Sequence, residues 1–239
     1  MRRLIEVIIR LHRFLADQLV YPILLSTILA LALFGGRVYL SRTLSHSNLV
    51  WNLFLAWIPY GFSLLAAGLH LLYPRRWWLL IAPAGIWLSF FPNAPYLLTD
   101  FLHLEERPYV PLWYDIGLLV SFAWSGLFLA IASLRSMQNL IDLYLGAILS
   151  WLFALGALAL GGLGLYLGRF SRWNSWDLLL QPKNILVDVA SRLIDPLSNL
   201  RFFGFIFMFT AFLLVCYLTF IAVQRTGEEQ ERRQPDGSP

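Results

Sequence analysis

The sequence predicts an all-α, polytopic transmembrane helix bundle with six spans, and three observations predict it. First, six runs contain no Asp, Glu, Lys or Arg: 18–36, 49–74, 77–99, 116–134, 143–168 and 202–224, each 19 residues or longer. A helix needs roughly 20 apolar residues to cross a hydrocarbon core of about 30 Å. Second, charged residues make up 13% of the chain and apolar ones 59%. Soluble domains carry roughly 25% charge, and a soluble core of this size cannot hide so much apolar surface. Third, the runs do not alternate in polarity, as the strands of a membrane barrel must.

The segment before the first run, 1–17, reads as an amphipathic helix lying on the membrane surface. Leu4, Ile8, Leu11 and Leu15 fall near helical spacing, whereas Arg3, Glu6, Arg10, Arg13 and Asp17 fall mostly elsewhere. Its charges are interleaved with apolar residues and no small-residue cleavage site follows, so it does not read as a signal peptide. The second and third runs are separated by little more than Arg75 and Arg76, which predicts a tight antiparallel hairpin. In the fifth run, Gly161, Gly162, Gly164 and Gly168 mark a helix that packs closely against its neighbours. The long connection 169–201 holds Ile185, Val189 and Leu193 at helical spacing, with Asp188 four residues before Arg192. That predicts a short interfacial helix over 184–195 rather than another span. The charged segment 225–239 reads as a disordered tail.

The charge balance narrows the partners. Eighteen Lys and Arg against fourteen Asp and Glu give a net charge of +4, which basic loops of a membrane protein explain. No basic patch is long enough to track a phosphate backbone, so a nucleic-acid partner is not expected. Membrane lipids are the expected surroundings, and a second copy or another membrane protein is a compatible partner. The single cysteine, Cys216, permits neither an internal disulfide nor a cysteine-based zinc site. With the N-terminus inside, the inner segments hold ten Lys and Arg and the outer ones eight, five of them in the long 169–201 connection. Short loops count most in the positive-inside rule, so both termini are predicted to be cytoplasmic. With six spans, the segments after the first, third and fifth emerge on one side, whichever side that is.

Two of those segments are unusual, and the argument for a site rests on them. FFPNAPYLLTDFLHL interrupts the third run. From residue 77 to residue 91 a helix would rise about 22 Å, short of the full hydrocarbon thickness. Pro92 and Pro95 then free carbonyls near Leu88 and Phe91, which must find partners in lipid. Asn93 offers two amide donors and can cap a new segment beginning at Ala94. If the chain resumes as a helix, Asn93, Tyr96, Asp100 and His103 recur at spacings of three, four and three. They form a polar stripe that suits a bundle interior or a water-filled vestibule, with Leu97, Leu98, Phe101 and Leu102 on the remaining surface. A plain helix stop with solvated Asp100 and His103 is the simpler alternative.

The second segment is GRFSRWNSWD. Arg169, Arg172, Trp173 and Trp176 would share one helical face, where arginine snorkels and tryptophan favours the headgroup layer. The functional alternative adds Asn174 and Asp177 and supplies cations that can pair with Asp100 or hold a phosphate. A third segment, PLWYDIG, opens the fourth run with Asp115 in a helical first turn, where the dipole favours a negative charge. Trp113 and Tyr114 fit an aromatic belt. Glu105 and Glu106 read as solvated loop charges. His46 and His70 stand alone and are not assigned as ligands.

In combination, FPNAPYLLTDFLHL, WYD and GLYLGRFSRWNSWD resemble a family of bacterial multi-pass membrane proteins known only as domain of unknown function 1361. The resemblance runs from about Ser26 to Tyr217 and leaves out the charged tail. It implies a location in the bacterial inner membrane and no mechanism. The residues it singles out are Pro92, Asn93, Pro95, Tyr96, Asp100, His103, Trp113, Tyr114, Asp115, Gly168, Arg169, Asn174, Trp176 and Asp177.

Three function classes remain. A binding or assembly component would use the motifs to hold its loops in shape through Arg–Asp and Asn–backbone bonds. A membrane-interface enzyme acting on a lipid or lipid-linked phosphate would use Asp100 and His103 as base and orienter. It would use Arg169 and Arg172 for the phosphate, or Asp100 and His103 with Asp115 or Asp177 for a divalent metal. A small-solute transporter would exploit the broken helix. No nucleophile motif, HExxH or glycine-rich phosphate loop is present, and the spans carry no charged pathway. The sequence names no cofactor and assigns no metal. A paired cluster without a pocket favours the first class, a pocket open sideways to lipid the second, and a polar cavity at the midplane the third.

Overall fold

The computed structural model describes residues 2–105 and 109–233. Among them the chain is helical throughout its ordered elements, with no strand. Five helices are long and apolar enough to cross a membrane. They are α2 (Val20–Ser41), α3 (Ser47–Leu72), α6 (Leu112–Leu145), α7 (Ala147–Tyr166, continued by a π-turn Leu167–Ser171) and α10 (Leu200–Arg233). The remainder comprises α1 (Arg2–Asp17), α4 (Ile81–Phe90), α5 (Asn93–Tyr96), α8 (Asp177–Leu180) and α9 (Pro182–Ile194).

The expected third span is not one helix. A 3-10 turn over Trp77–Leu80 leads into the ten-residue α4, then α5, then a second 3-10 stretch over Leu97–His103. The prolines act where the sequence places them: α4 ends two residues before Pro92, and Pro95 sits inside the single turn of α5. The expected loop between the fourth and fifth runs does not exist either. Residues 135–142 are helical, because no breaker occurs until Gly146, whose φ of +82° makes a one-residue connection to α7. In the same way α2 runs past Arg37, which the sequence reading took as its boundary. The final helix continues to Arg233 through residues expected to be a disordered tail from 225. Glu, Gln and Arg are strong helix formers and extend it; residues 234–239 lie outside the described residues.

α6 is the central helix and packs against α2, α3 and α7 as well as the broken segment. Its Leu118, Leu119, Phe122 and Leu129 are fully buried, together with Tyr60, Trp87 and Phe91. α10 leans mainly on α7. The α7 glycines do the close packing their spacing predicts. A Cβ on Gly162 would lie 2.9 Å from the Ile206 carbonyl of α10, and one on Gly164 would lie 2.5 Å from Pro92. Gly161 faces the Phe91 ring and Gly168 the Tyr96 ring. On the other side of the break, Gly126 of α6 lies directly against the Ala94 carbonyl. The broken segment is therefore wedged between glycine-lined faces of α6 and α7, and its Ala94 and Leu97 are fully buried. Leu97 thus faces the protein rather than lipid, because Gly126 leaves room for it.

α1 keeps Ile5, Ile8, Ile9 and Leu11 exposed and touches the bundle only near its end. It meets α2 at Leu19, whose φ is +61°. The Gln18 carbonyl at this corner accepts a hydrogen bond from the Tyr60 hydroxyl at 2.7 Å.

Candidate functional site

The polar residues gather at one end of the bundle in three joints. The first ties α2 to α6. Arg37 Nε donates to Asp115 Oδ1 at 2.6 Å and Nη2 donates to Oδ2 at 3.1 Å. Arg37 Nη1 donates to the Ser45 hydroxyl at 2.5 Å. Arg37 and Asp115 are each only 1% exposed. A planar fork matched to a carboxylate is the arrangement in which a buried ion pair best offsets its desolvation. Beside it, the Tyr114 hydroxyl lies against Gly36 and donates to the Leu33 carbonyl at 2.9 Å. Tyr114 and Asp115 therefore clamp α2. Asp115 does more than sit in a helix dipole, and its polar contacts go to Arg37. Trp113 stays 71% exposed.

The second joint ties the broken segment to α3 and α7. Asp100, 1% exposed, accepts a hydrogen bond from Asn52 Nδ2 at 3.1 Å and faces Arg169 Nη1 at 3.5 Å. The same guanidinium lies 6.0 Å from the centre of the Tyr96 ring, within reach of a cation–π attraction. Asn93 Nδ2 donates to the Phe90 carbonyl at 3.1 Å and to the Ser175 hydroxyl at 2.7 Å. Asn93 thus serves the carbonyl next to Phe91 rather than one that a proline frees, and the Phe91 carbonyl accepts from the Ala94 N–H. Asn93 does not cap the next segment: it belongs to α5 itself, which follows Pro92 without a side-chain cap. These contacts bring the PNAPY–Asp and GRF–NSWD motifs together.

The third joint organises the long connection. Asp188 and Arg192 of α9 form the expected pair one turn apart, at 2.6 Å. Trp173 Nε1 donates to Asp188 at 3.1 Å, and Arg192 also donates to the Ser171 hydroxyl at 3.3 Å. Arg192 lies 5.4 Å from the Tyr166 ring and 5.6 Å from the Phe202 ring. Burial alone would raise the Asp188 carboxyl pKa. The hydrogen bonds from Arg192, Trp173 and Ser171 and the charge of Arg192 outweigh it and hold the pKa below its ordinary value. Phe170, Ser171, Trp173 and residues of α9 line an open groove of about 570 Å³ over this joint.

Not every expected member joins. Arg169, Arg172, Trp173 and Trp176 do not share a helical face, because the helix ends in a π-turn at Ser171 and Arg172 adopts φ +58°. Arg172 is exposed. Asn174 and Asp177 bond to each other, with the Asn174 amide donating to Asp177 Oδ2 at 2.7 Å. They shape their own turn. The side chain of His103, and Glu106, lie outside the described residues. Among the described residues, no three His, Cys, Asp or Glu side chains converge as a metal site would require. Two participants escaped the sequence reading. Arg37 was hidden because it closes a charge-free run. Asn52 is the one amide in the second run, and that isolation was the available signal.

The model of a family described as a protein of unknown function, DUF1361, matches residues 51–216, well over half of the chain. It spans the broken segment, the Asn52–Asp100–Arg169 joint and the Trp173–Asp188–Arg192 joint. No curated protein and no solved structure matches.

Proposed function

The chain belongs to the DUF1361 family of proteins of unknown function, and from that premise we propose that it is a binding or assembly component of the bacterial inner membrane. In this reading the polypeptide crosses six times. Five crossings are the long helices, and α4, α5 and the turn after them make the third, broken one. Both termini are cytoplasmic, the three polar joints face outward, and α1 and α9 lie in the interfaces. With the long 169–201 connection left aside, ten Lys and Arg fall on the inner side, seven of them in the two terminal segments, against three on the outer side, and this supports the orientation.

One observation carries the reading: four aspartates of the polar end, Asp100, Asp115, Asp177 and Asp188, are engaged. Asp115 is held by Arg37, Asp188 by Arg192, and Asp177 by its own turn. Asp100 lies between Asn52 and Arg169 with almost no exposed surface. A general base must reach the proton it removes, and Asp100 is enclosed by protein. Ionic joints of this kind fix the shape of a surface. The surface they shape is the groove beside Trp173 and Val187, and its occupant here is an extracytoplasmic segment of a partner membrane protein.

Photo-crosslinking in intact cells tests this. A photoreactive residue at Val187 is expected to give a discrete protein adduct, whereas one at Leu152, exposed on the side of α7, gives none. Identical, diffuse labelling at both positions would overturn the reading. So would release of a modified lipid by the parent protein that Asp100→Asn abolishes, which would establish an enzyme instead.

A further inference from the structure

A second polar concavity lies at the other end of the bundle, away from every motif singled out in the sequence. Its volume is about 450 Å³, within the range of small-ligand sites. It opens where the α1–α2 corner meets the C-terminal parts of α6 and α10, and Asp17, Gln18, Arg135, Ser136, Asn139 and Gln224 supply its polar lining. Ser136 carries the argument. It is only 6% exposed, and its buried hydroxyl has no hydrogen-bond partner in the structure. The other serines of α6 differ: Ser121, Ser125 and Ser133 each return their hydroxyl to a carbonyl of the same helix. A buried hydroxyl without a partner is a costly arrangement that a bound group can relieve.

The remaining lining says what kind of group. Arg135 is one of the residues that line the cavity. It puts a positive charge at the wall. Asp17 places a negative charge at the rim, exposed to solvent. Gln18, Asn139 and Gln224 add three carboxamides to the same lining. A simple anion would meet Asp17, and a simple cation would meet Arg135. A group with an oxyanion and an ammonium a few bonds apart satisfies both. The mouth also sits at the ends of three membrane-length helices, beside an α1 whose Ile5, Ile8 and Leu11 are exposed. That is the depth of a lipid headgroup.

We propose that this cavity binds a phosphoethanolamine group, presented by a zwitterionic phospholipid whose acyl chains lie along α10. The phosphate meets Arg135, Ser136 and Asn139, and the ammonium meets Asp17.

Titrations of the purified full-length protein in detergent test this, with native mass spectrometry and thermal unfolding as readouts. The probes are phosphatidylethanolamine, phosphatidylglycerol with the same acyl chains, and soluble phosphoethanolamine. The ethanolamine lipid is expected to bind about tenfold tighter than the glycerol lipid, the worth of one charge-assisted hydrogen bond. Ser136→Val and Asn139→Leu should each weaken it by a similar factor. Asp17→Asn should erase the preference between the two lipids, which a merely structural role for Asp17 would not do. Soluble phosphoethanolamine that competes at comparable concentration would make the free zwitterion the ligand; lipid-only binding makes the headgroup the ligand. Equal affinity for both lipids in the parent protein overturns the proposal. So does parental affinity in Ser136→Val and Asn139→Leu proteins that unfold as the parent does.

Discussion

The two ends of the bundle are held by different means. At the polar end two of the connections between long helices are extended, and buried ion pairs fix the helices: Arg37 with Asp115, and Asp100 with Arg169. At the opposite end the chain itself does most of the work. Gly146 alone joins α6 to α7, and four residues join α3 to the turn at Trp77. The polar contacts there include the exposed pairs His12 with Tyr21 and His70 with Tyr144, the Tyr60 bond to the Gln18 carbonyl and the buried Tyr217 bond to Gln138. Where the backbone is short, position follows from covalent reach. Where it is long, position must be specified by side chains, and desolvated charge specifies it most sharply.

The largest effect should therefore follow from breaking the α2–α6 pair. Arg37→Ala leaves a buried carboxylate and is expected to cost about 3–5 kcal/mol, measured by thermal or denaturant unfolding in detergent. Arg37→Met combined with Asp115→Leu should recover most of that loss, since no charge remains unpaired. A double variant no more stable than Arg37→Ala would show that the pair does more than neutralise itself.

Overpacking comes next and separates the two ends cleanly. Gly126→Ala drives a methyl group into the Ala94 carbonyl and should cost about 1–3 kcal/mol. Gly68→Ala, near the other end, meets no atom within 4 Å. It should be neutral or stabilise by up to about 1 kcal/mol through helix propensity. The same unfolding assay reads both, and equal losses would break the contrast.

Asn52→Ala removes a hydrogen bond to a buried carboxylate and should cost about 1.5–3 kcal/mol. A double-mutant cycle with Asp100→Asn should show that the two changes are coupled. For Asp188 the sign follows from its lowered folded-state pKa. The carboxylate contributes stability above its ordinary value of 3.8, and that contribution is lost as pH falls through the lower folded value. Fluorescence of Trp173, with Trp173→Phe as the blank, should report opening of the α9 joint on acidification below about pH 4. The smallest effect belongs to Tyr144→Phe, which removes two exposed hydrogen bonds, to His70 and to the Pro74 carbonyl, and should change stability by less than about 0.5 kcal/mol.

What the sequence revealed depended on how local each cause was. The break at Pro92 and Pro95 was legible because proline acts on its own turn and the one before it. Asp188 and Arg192 were legible because one helical turn fixes their separation. The glycines of α7 announced close packing, though not that α10 and the PNAPY segment would be the elements packed. Residues 135–142 carry charge that suggests a span boundary, yet they stay helical, because a helix ends only where the backbone is broken or capped. Arg37 and Asp115 are 78 residues apart, and nothing in either local segment reports the other. The meeting of the Asp100 and Arg169 segments was legible through topology alone, since an odd number of crossings brings both to the same side if the third crossing is completed.

The glycine row on α7 also sets an order of events. Translation delivers Asn52 and the broken segment long before α7 exists, so for that interval the kink has α3 and α6 for company and no arginine. Only when Gly161, Gly164 and Gly168 slide against Phe91, Pro92 and Tyr96 does Arg169 reach the waiting carboxylate. The last ionic contact of the kink is thus a late event of biogenesis, and a ribosome stalled before residue 169 would hold a nascent chain whose polar end is still unlatched.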